Sequence, residues 1–484
     1  MKKFISQHLK DILINLIASV IILLAVFLIY QIGKMLIKPM TDQMANFIAF
    51  VIFAICFAIW VLKYYSDKNK KEKYYSTVSS KEFKQFTIDV MKRYYGESYL
   101  TEINGTVIPE YCLPTSGKIK YGTSVNYFDV LCNKKESKIS DFNINNHFNY
   151  KKNKFYKQYR RINKNEVRSP NRPGFMLEKI SINSDGLVDN ITVRLGTYAE
   201  NVYTSDVLEY ELYEAYLRFK AEWKNIKEKN IGDELFWEKI NNSLEMRNKI
   251  SNENGSPYNS LINGKGRESL VSVQMIVVIK SRGGQYEVKR IQRSKNVAQA
   301  PGEYQLAPCG GFEIFNDSAD DNYDDSELDE NLSPGAAIFR EYLEELCKGE
   351  DFEGKGAGSV NDKVLKDPRI QEICKMLESK KASLQFLGSS VSLLDLRHTL
   401  SFALVIHDDS YSEKNQFIGN HESKKGRIAS IPVHQLDNPE DKGWKKMNAG
   451  SKASWHLFKN TKEYEDIVKK DDLINDDKTS SITV

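Results

Sequence analysis

Cysteine is scarce in this 484-residue chain: there are six, at 56, 112, 132, 309, 347 and 374, with no CxxC pair and no regular spacing. That usage gives neither a disulfide framework nor a zinc site, and it fits buried thiols in a reducing compartment. Excess charge is equally scarce, with 69 Lys and Arg against 65 Asp and Glu and a net charge of +4. A globally basic nucleic-acid coat is therefore excluded, and direct DNA binding is not expected. No internal repeat is visible. The chain is too long for one compact core, so two or more folded units are expected.

Charge is absent altogether from two stretches. Residues 12–30 (ILINLIASVIILLAVFLIY) carry one Asn and no charge, and residues 44–62 (MANFIAFVIFAICFAIWVL) are also uncharged. About 20 such residues are needed to cross a bilayer core, so two transmembrane helices are expected. Trp60, Tyr64 and Tyr65 sit where interfacial aromatics gather. A cleaved signal peptide is the other reading of the first run, but that run is too long and lacks a small-x-small cleavage site. Lys2, Lys3 and Lys10 precede the pair, Lys63, Lys68, Lys70, Lys71 and Lys73 follow it, and only Lys34 and Lys38 lie between. The bias puts both termini in the cytoplasm of a cell with the chain in its inner membrane. Asn15 reads either as an interhelical hydrogen-bonding residue or as one near the headgroups.

Residues 67–82 are polar and read as a linker. A helix is expected over 80–95 behind a serine cap, then short β stretches at 105–108 and 124–131. A hairpin is expected over 174–195, turning at Asn183-Ser184-Asp185-Gly186. Thr204 or Ser205 is expected to cap a helix reaching Trp223, with Leu208, Leu212, Ala215 and Phe219 as its core stripe. Residues 83–265 thus read as a mixed α/β middle region. Within it, residues 150–172 hold nine Lys or Arg interleaved with Tyr150, Phe155, Tyr156 and Tyr159. This stretch reads either as a grip for phosphates of a nucleotide or of anionic lipids, or as a solvated basic loop.

From residue 269 the pattern changes. LVSVQMIVVIKS reads as a buried strand and YEVKRIQRS as a second, after an Arg-Gly-Gly turn. EYQLAPCGGFEIF follows, then an acidic insert, then SPGAAIFREYLEELCKGE, a helix with Ser333 as N-cap and Pro334 at its first position. Glu341, Glu344 and Glu345 stand at i, i+3 and i+4, on one face. Three neighbouring carboxylates call for a cation, and hard Mg²⁺ or Mn²⁺ takes such oxygen ligands together with phosphate oxygens. Gly310 and Gly311 allow a close backbone approach.

Arg340-Glu341-Tyr342-Leu343-Glu344-Glu345 resembles the REUxEE core of the Nudix box, and Cys309-Gly310-Gly311-Phe312-Glu313 resembles the glycine pair ahead of it. LQFLGSSVSLLDLRHTLSFALVI fits the strands that follow. The resemblance covers residues 269–458 and implies a Nudix-like α/β/α sandwich over 266–460, followed by a polar tail at 461–484. It implies Glu341, Glu344 and Glu345 as metal ligands, with Arg340 orienting them. Gly310 and Gly311 would lie at the ligand, and Glu422 would be a general base, unless it is a plain solvated loop residue. Two departures stand out. Cys347 occupies the place of an expected glycine, and the insert at 316–332 breaks the spacing of the first glutamate, leaving Glu327, Glu330 or nothing in its place.

With two spans and a divergent box, the chain is similar to SMODS-associated NUDIX proteins. That similarity implies a membrane effector of bacterial anti-phage defence, acting as a homo-oligomer in the lipid bilayer and sensing a nucleotide or cyclic oligonucleotide. The alternative is a membrane-tethered Mg-dependent hydrolase of a nucleoside diphosphate compound. A third reading is an anchored fold that only mediates contacts.

Overall fold

The computed structural model describes residues 42–115, 132–134, 154–162, 173–229, 233–294, 302–314, 331–347, 360–415, 417–420 and 423–480. Two compact units are present, residues 1–78 with 161–163 and residues 79–160 with 164–484. The expected break at residue 265 falls inside the second.

In the first unit, helix α1 (Asp42–Val78) contains the whole second apolar run and continues for about four more turns. The linker expected from residue 67 is thus helical as far as Val78. No Gly or Pro interrupts it, and its lysines are good helix formers. Phe53, Phe57, Trp60 and Tyr64 are exposed and stack in succession along α1. Among the described side chains, which in this helix begin at Val51, no helix is long and apolar enough to cross a membrane. The run 12–30 lies outside the described residues.

The second unit is a mixed α/β fold. The chain passes through α2 (Lys81–Tyr95), β1 (Thr101–Ile103), β2 (Thr106–Ile108), β3 (Glu110–Pro114), β4 (Cys132–Lys134) and α3 (Lys154–Ile162). A hairpin of β5 (Pro173–Ile182) and β6 (Val188–Thr197) leads to α4 (Val207–Lys229), α5 (Glu234–Ser243), α6 (Glu245–Asn254) and α7 (Pro257–Ile262). Next come β7 (Ser272–Lys280), β8 (Tyr286–Arg293), β9 (Tyr304–Leu306), β10 (Cys309–Gly311) and α8 (Pro334–Leu346). The rest is α9 (Val360–Lys366), α10 (Pro368–Glu378), β11 (Ala382–Ser392), β12 (His398–Ile406), β13 (Ser423–Pro432), α11 (Ala449–Lys459) and α12 (Lys462–Ser480).

Several local expectations hold. Ser80 caps α2 by accepting from the Phe83 N–H. The hairpin turns at Asn183–Gly186, where Asn183 Oδ1 accepts from the N–H groups of Asp185 and Leu187 and Gly186 takes a left-handed φ of 79°. The strand expected at 124–131 lies outside the described residues, as do the ends of the basic stretch, whose centre is α3.

The central sheet runs β13-β8-β7-β12-β11-β3, with β10 on β7 and β9 on β8. Strand β7 lies parallel to β12; the other pairings are antiparallel. Side chains on β7 alternate between two cores because successive residues point to opposite faces. Val273, Met275, Val277 and Ile279 meet Phe339, Tyr342 and Leu343 of α8 and Ile370 and Ile373 of α10. Ile276 and Val278 meet Trp444 and, from α11, Trp455 and Phe458. Helices therefore cover both faces of the sheet.

Two expectations about boundaries need correction. Strand β3, from the middle region, pairs with β11 through five residues, so the sheet does not begin at residue 266. Residues 461–484, expected as a polar tail, form α12 as far as Ser480, with Ile467 buried and Asp471 accepting from the Tyr286 N–H. The cap before α4 is also elsewhere. The chain is already helical at Tyr198, and Thr197 N bonds to Glu200 Oε2 at 3.0 Å. Thr204 and Ser205 instead turn their hydroxyls to the Glu268 backbone, Ser205 Oγ donating to the carbonyl at 2.6 Å and Thr204 Oγ1 accepting from the N–H at 2.7 Å.

Candidate functional site

The candidate site is built where α8 meets β10. Local sequence starts the helix as expected: Ser333 Oγ accepts from the Ala336 N–H at 3.1 Å, and Pro334 fills the first turn. From the buried side of α8, Arg340 Nη2 donates to the Gly311 carbonyl at 3.1 Å and to Glu341 Oε1 at 2.8 Å. Glu345 Oε2 accepts from the Cys309 N–H at 3.1 Å. Glu341 and Glu345 are buried, and Glu344 is half-buried. A Cβ at Gly310 would overlap the whole Glu341 carboxyl group, so glycine is required there by close approach and not by a left-handed backbone.

The helix face predicted from spacing is therefore present, but two of its carboxylates fasten α8 to the diglycine strand. The donors are all oxygen, as a hard cation prefers. Among the described residues, however, no group of three or more His, Cys, Asp or Glu is arranged to hold a metal ion. The residues as placed do not fit a Mg²⁺ or Mn²⁺ centre made of Glu341, Glu344 and Glu345. Glu422, Glu327 and Glu330 lie outside the described residues.

Cys347 is accommodated where a glycine was expected. It is the C-cap of α8 with φ −115°, a conformation open to any residue, and its N–H bonds to the Leu343 carbonyl. Burial, the first cause, pushes its thiol up to about 11.

Several residues of the site carried no motif in the sequence. Ser272 is the register partner of Gly311, and Arg397 Nη2 donates to Ser272 Oγ at 3.1 Å. Asp206, from the turn before α4, stands 3.8 Å from Arg397 Nη1. Arg293, at the end of β8, donates to Gln305 Oε1 at 2.8 Å. The Cys309 thiol registers this surrounding charge. It is pushed up to about 12, first by burial, then by Glu345 and Glu341, while Arg293 and Arg397 act in the opposite direction. The middle region supplies a wall as well. Phe175 N donates to the Phe312 carbonyl at 3.0 Å, Ile314 N donates to the Pro173 carbonyl at 3.0 Å, and Gly174 bridges Glu313. Such partners become visible only when strands distant in sequence are brought together.

Fold and site define a helix–sheet–helix unit in which a diglycine strand is clamped to a glutamate-bearing helix and flanked by arginines. No family model and no curated protein matches the sequence. Among solved structures the chain is similar to a Nudix hydrolase from M. smegmatis, at 12% identity over 39% of this chain and 83% of that one, with a TM-score of 0.21. It is also similar to a Nudix hydrolase from Alicyclobacillus acidocaldarius, at 12% identity over 35% of this chain and 81% of that one, TM-score 0.20. A third is a bifunctional NMN adenylyltransferase/ADP ribose pyrophosphatase from Francisella tularensis, complexed with AMP and a Mn ion. There the identity is 12% over 65% of this chain and 86% of that one, with a TM-score of 0.21. Superpositions this loose establish neither a shared fold nor a shared activity.

Proposed function

We propose that this chain is a membrane-anchored nucleotide sensor whose second unit binds phosphates of a nucleotide or cyclic oligonucleotide beside the Cys309–Gly311 strand. The observation that carries this reading is the pair of part-exposed arginines, Arg293 and Arg397, whose charges bear on Cys309 next to the clamped diglycine. Guanidinium forks match phosphate oxygens in geometry and charge. Arg340 is buried and committed to Gly311 and Glu341, so its role is positioning.

Anchoring belongs to the same proposal: two spans at 12–30 and 44–62 in the cell inner membrane, with both termini cytoplasmic. Its support is the pair of uncharged runs with lysines outside them, and the exposed aromatic row on α1. Two helices per chain cannot line a channel, so the effector acts as a homo-oligomer in which ligand binding reorganises the spans. A role in bacterial defence tied to cyclic-oligonucleotide signalling rests on the sequence resemblance. The test is dye leakage from liposomes carrying the full chain, with cyclic di- and trinucleotides as probes. Binding without leakage removes the effector reading. Nucleotide affinity unchanged by Arg293→Ala and Arg397→Ala removes the site.

A second reading, the Mg- or Mn-dependent hydrolase of a nucleoside diphosphate compound, is favoured by one observation. Glu341, Glu344 and Glu345 all stand on α8 beside the diglycine strand, and a cation there requires Glu341 and Glu345 to leave their bonds to Arg340 and the Cys309 N–H. Nucleotide cleavage by the purified chain that requires added MgCl₂ or MnCl₂ and disappears in Glu344→Gln supports it. Turnover that ignores the substitution removes it.

A further inference from the structure

We propose that a cavity between α10 and residues 408–414 is a second binding site, specific for a small ligand that joins a phosphate to an aromatic or apolar body. The cavity has a volume of about 410 Å³, large enough for a mononucleotide-sized molecule. None of its lining residues belongs to the Cys309 site.

Charge within the cavity is unevenly committed. Asp408 is held on three sides: Lys381 Nζ donates to Oδ2 at 3.1 Å, and the Ser410 N–H and Oγ donate to Oδ1 at 3.0 and 2.7 Å. Those bonds, Ser410's first, keep its carboxyl low, at about 2. Glu372 accepts from Asn415 Nδ2 at 3.4 Å. Both acids of the cavity therefore have partners supplied by the fold. Lys375 and Lys414 also line it, and among the described residues neither has a carboxylate within ion-pair distance. Three lysines against two carboxylates leave the concave wall with one net positive charge, which attracts an anion, and lysine binds phosphate as a point charge.

The remaining lining fixes the rest of the ligand. Met376 and Tyr411 are buried and form an apolar floor. The Tyr411 hydroxyl is engaged with the Tyr342 hydroxyl on α8 at 3.0 Å, so the tyrosine's contribution to the cavity is apolar. An aromatic ring and a polarisable thioether suit a flat organic group. Inorganic phosphate satisfies the lysines alone, whereas a nucleoside monophosphate satisfies both halves.

The experiment is calorimetric titration of the full chain in detergent with AMP and, separately, with inorganic phosphate. Saturable AMP binding is expected, with phosphate at least about tenfold weaker, and with AMP affinity falling at least about tenfold in the double variant Lys375→Gln, Lys414→Gln. Both lysines are exposed, and an unchanged melting temperature confirms that the variant is folded. The variants Arg293→Ala and Arg397→Ala, which address the other site, are expected to leave this binding intact. The proposal is overturned by a lack of saturable AMP binding, by AMP affinity indifferent to the double variant, or by binding lost only in the arginine variants. Phosphate binding as tightly as AMP overturns the claim of an apolar body.

Discussion

Replacing Gly310 by alanine isolates the contact on which the site is built. The Gly310 backbone is not left-handed, so alanine is conformationally admissible, and restricting the unfolded chain would by itself stabilise the protein by roughly 0.4–1 kcal/mol. Against this, the new Cβ overlaps Glu341 Cδ and both of its carboxylate oxygens. The carboxyl group must swing away and give up the 2.8 Å bond from Arg340, which is itself almost wholly buried. A hydrogen bond between charged partners contributes roughly 1.5–3 kcal/mol, so the net expectation is a loss of about 1–2 kcal/mol. Urea unfolding followed by fluorescence of the buried Trp444 and Trp455 measures it. The decisive comparison is the same substitution in a Glu341→Ala background, where the three atoms nearest the new Cβ are gone. There alanine at 310 is expected to be neutral or mildly stabilising, a reversal of sign. Equal destabilisation in both backgrounds refutes the clamp.

Other expectations concern buried polar groups. Arg247 is fully buried, donating from Nη1 to the Tyr95 hydroxyl and the Leu393 carbonyl and from Nη2 to the Leu394 carbonyl. Arg247→Met strips all three acceptors and is expected to cost at least about 3 kcal/mol, read as a fall in the urea midpoint. Glu345→Gln keeps an oxygen for the Cys309 N–H and is expected to be nearly neutral, whereas Glu345→Ala orphans that donor at about 1–3 kcal/mol. Faster hydrogen exchange at the Cys309 amide in the alanine variant alone checks the difference. His398 is wholly buried, and burial first, then Arg267, depress its imidazole to about 3. Below the usual histidine range the unfolded chain takes up a proton that the folded chain refuses. Stability is therefore expected to fall as pH drops from about 6.5 towards 3, by up to about 1.4 kcal/mol per unit. The acid limb should flatten in His398→Gln; identical slopes would remove the assignment.

What could be read from the sequence was whatever is decided within a few residues. Ser333 and Pro334 start α8 because cap and first turn are adjacent, and Asn183 closes its turn on its own neighbours. Strand β7 could be read because a run apolar on both faces has few other places to go. Thr204 and Ser205 were misread because their hydroxyls have two sets of suitors, a local helix start and the Glu268 backbone 63 or 64 residues on. The nonlocal set prevails. The polar end of the chain was misread for a similar reason. Ile467 and Asp471 look solvated until β8 offers a core edge and a backbone N–H.

The glutamates of α8 show where local reading stops. Helical periodicity places Glu341, Glu344 and Glu345 on one face, and it does so whatever surrounds them. Periodicity does not say what that face meets. A carboxylate on a helix can gather a cation or accept from a passing backbone, and the choice belongs to the segment that arrives. Here the arriving segment is Cys309–Gly311, joined to α8 by an insert whose sequence gives no register. Its Cys309 N–H takes Glu345, and its second glycine leaves a carbonyl for Arg340, which in turn holds Glu341. The same two glycines that suggested a close approach by a ligand are what let the helix itself approach. A ligand at this strand must therefore be met by groups that the clamp leaves over, and the part-exposed arginines from β8 and from the turn before β12 are such groups.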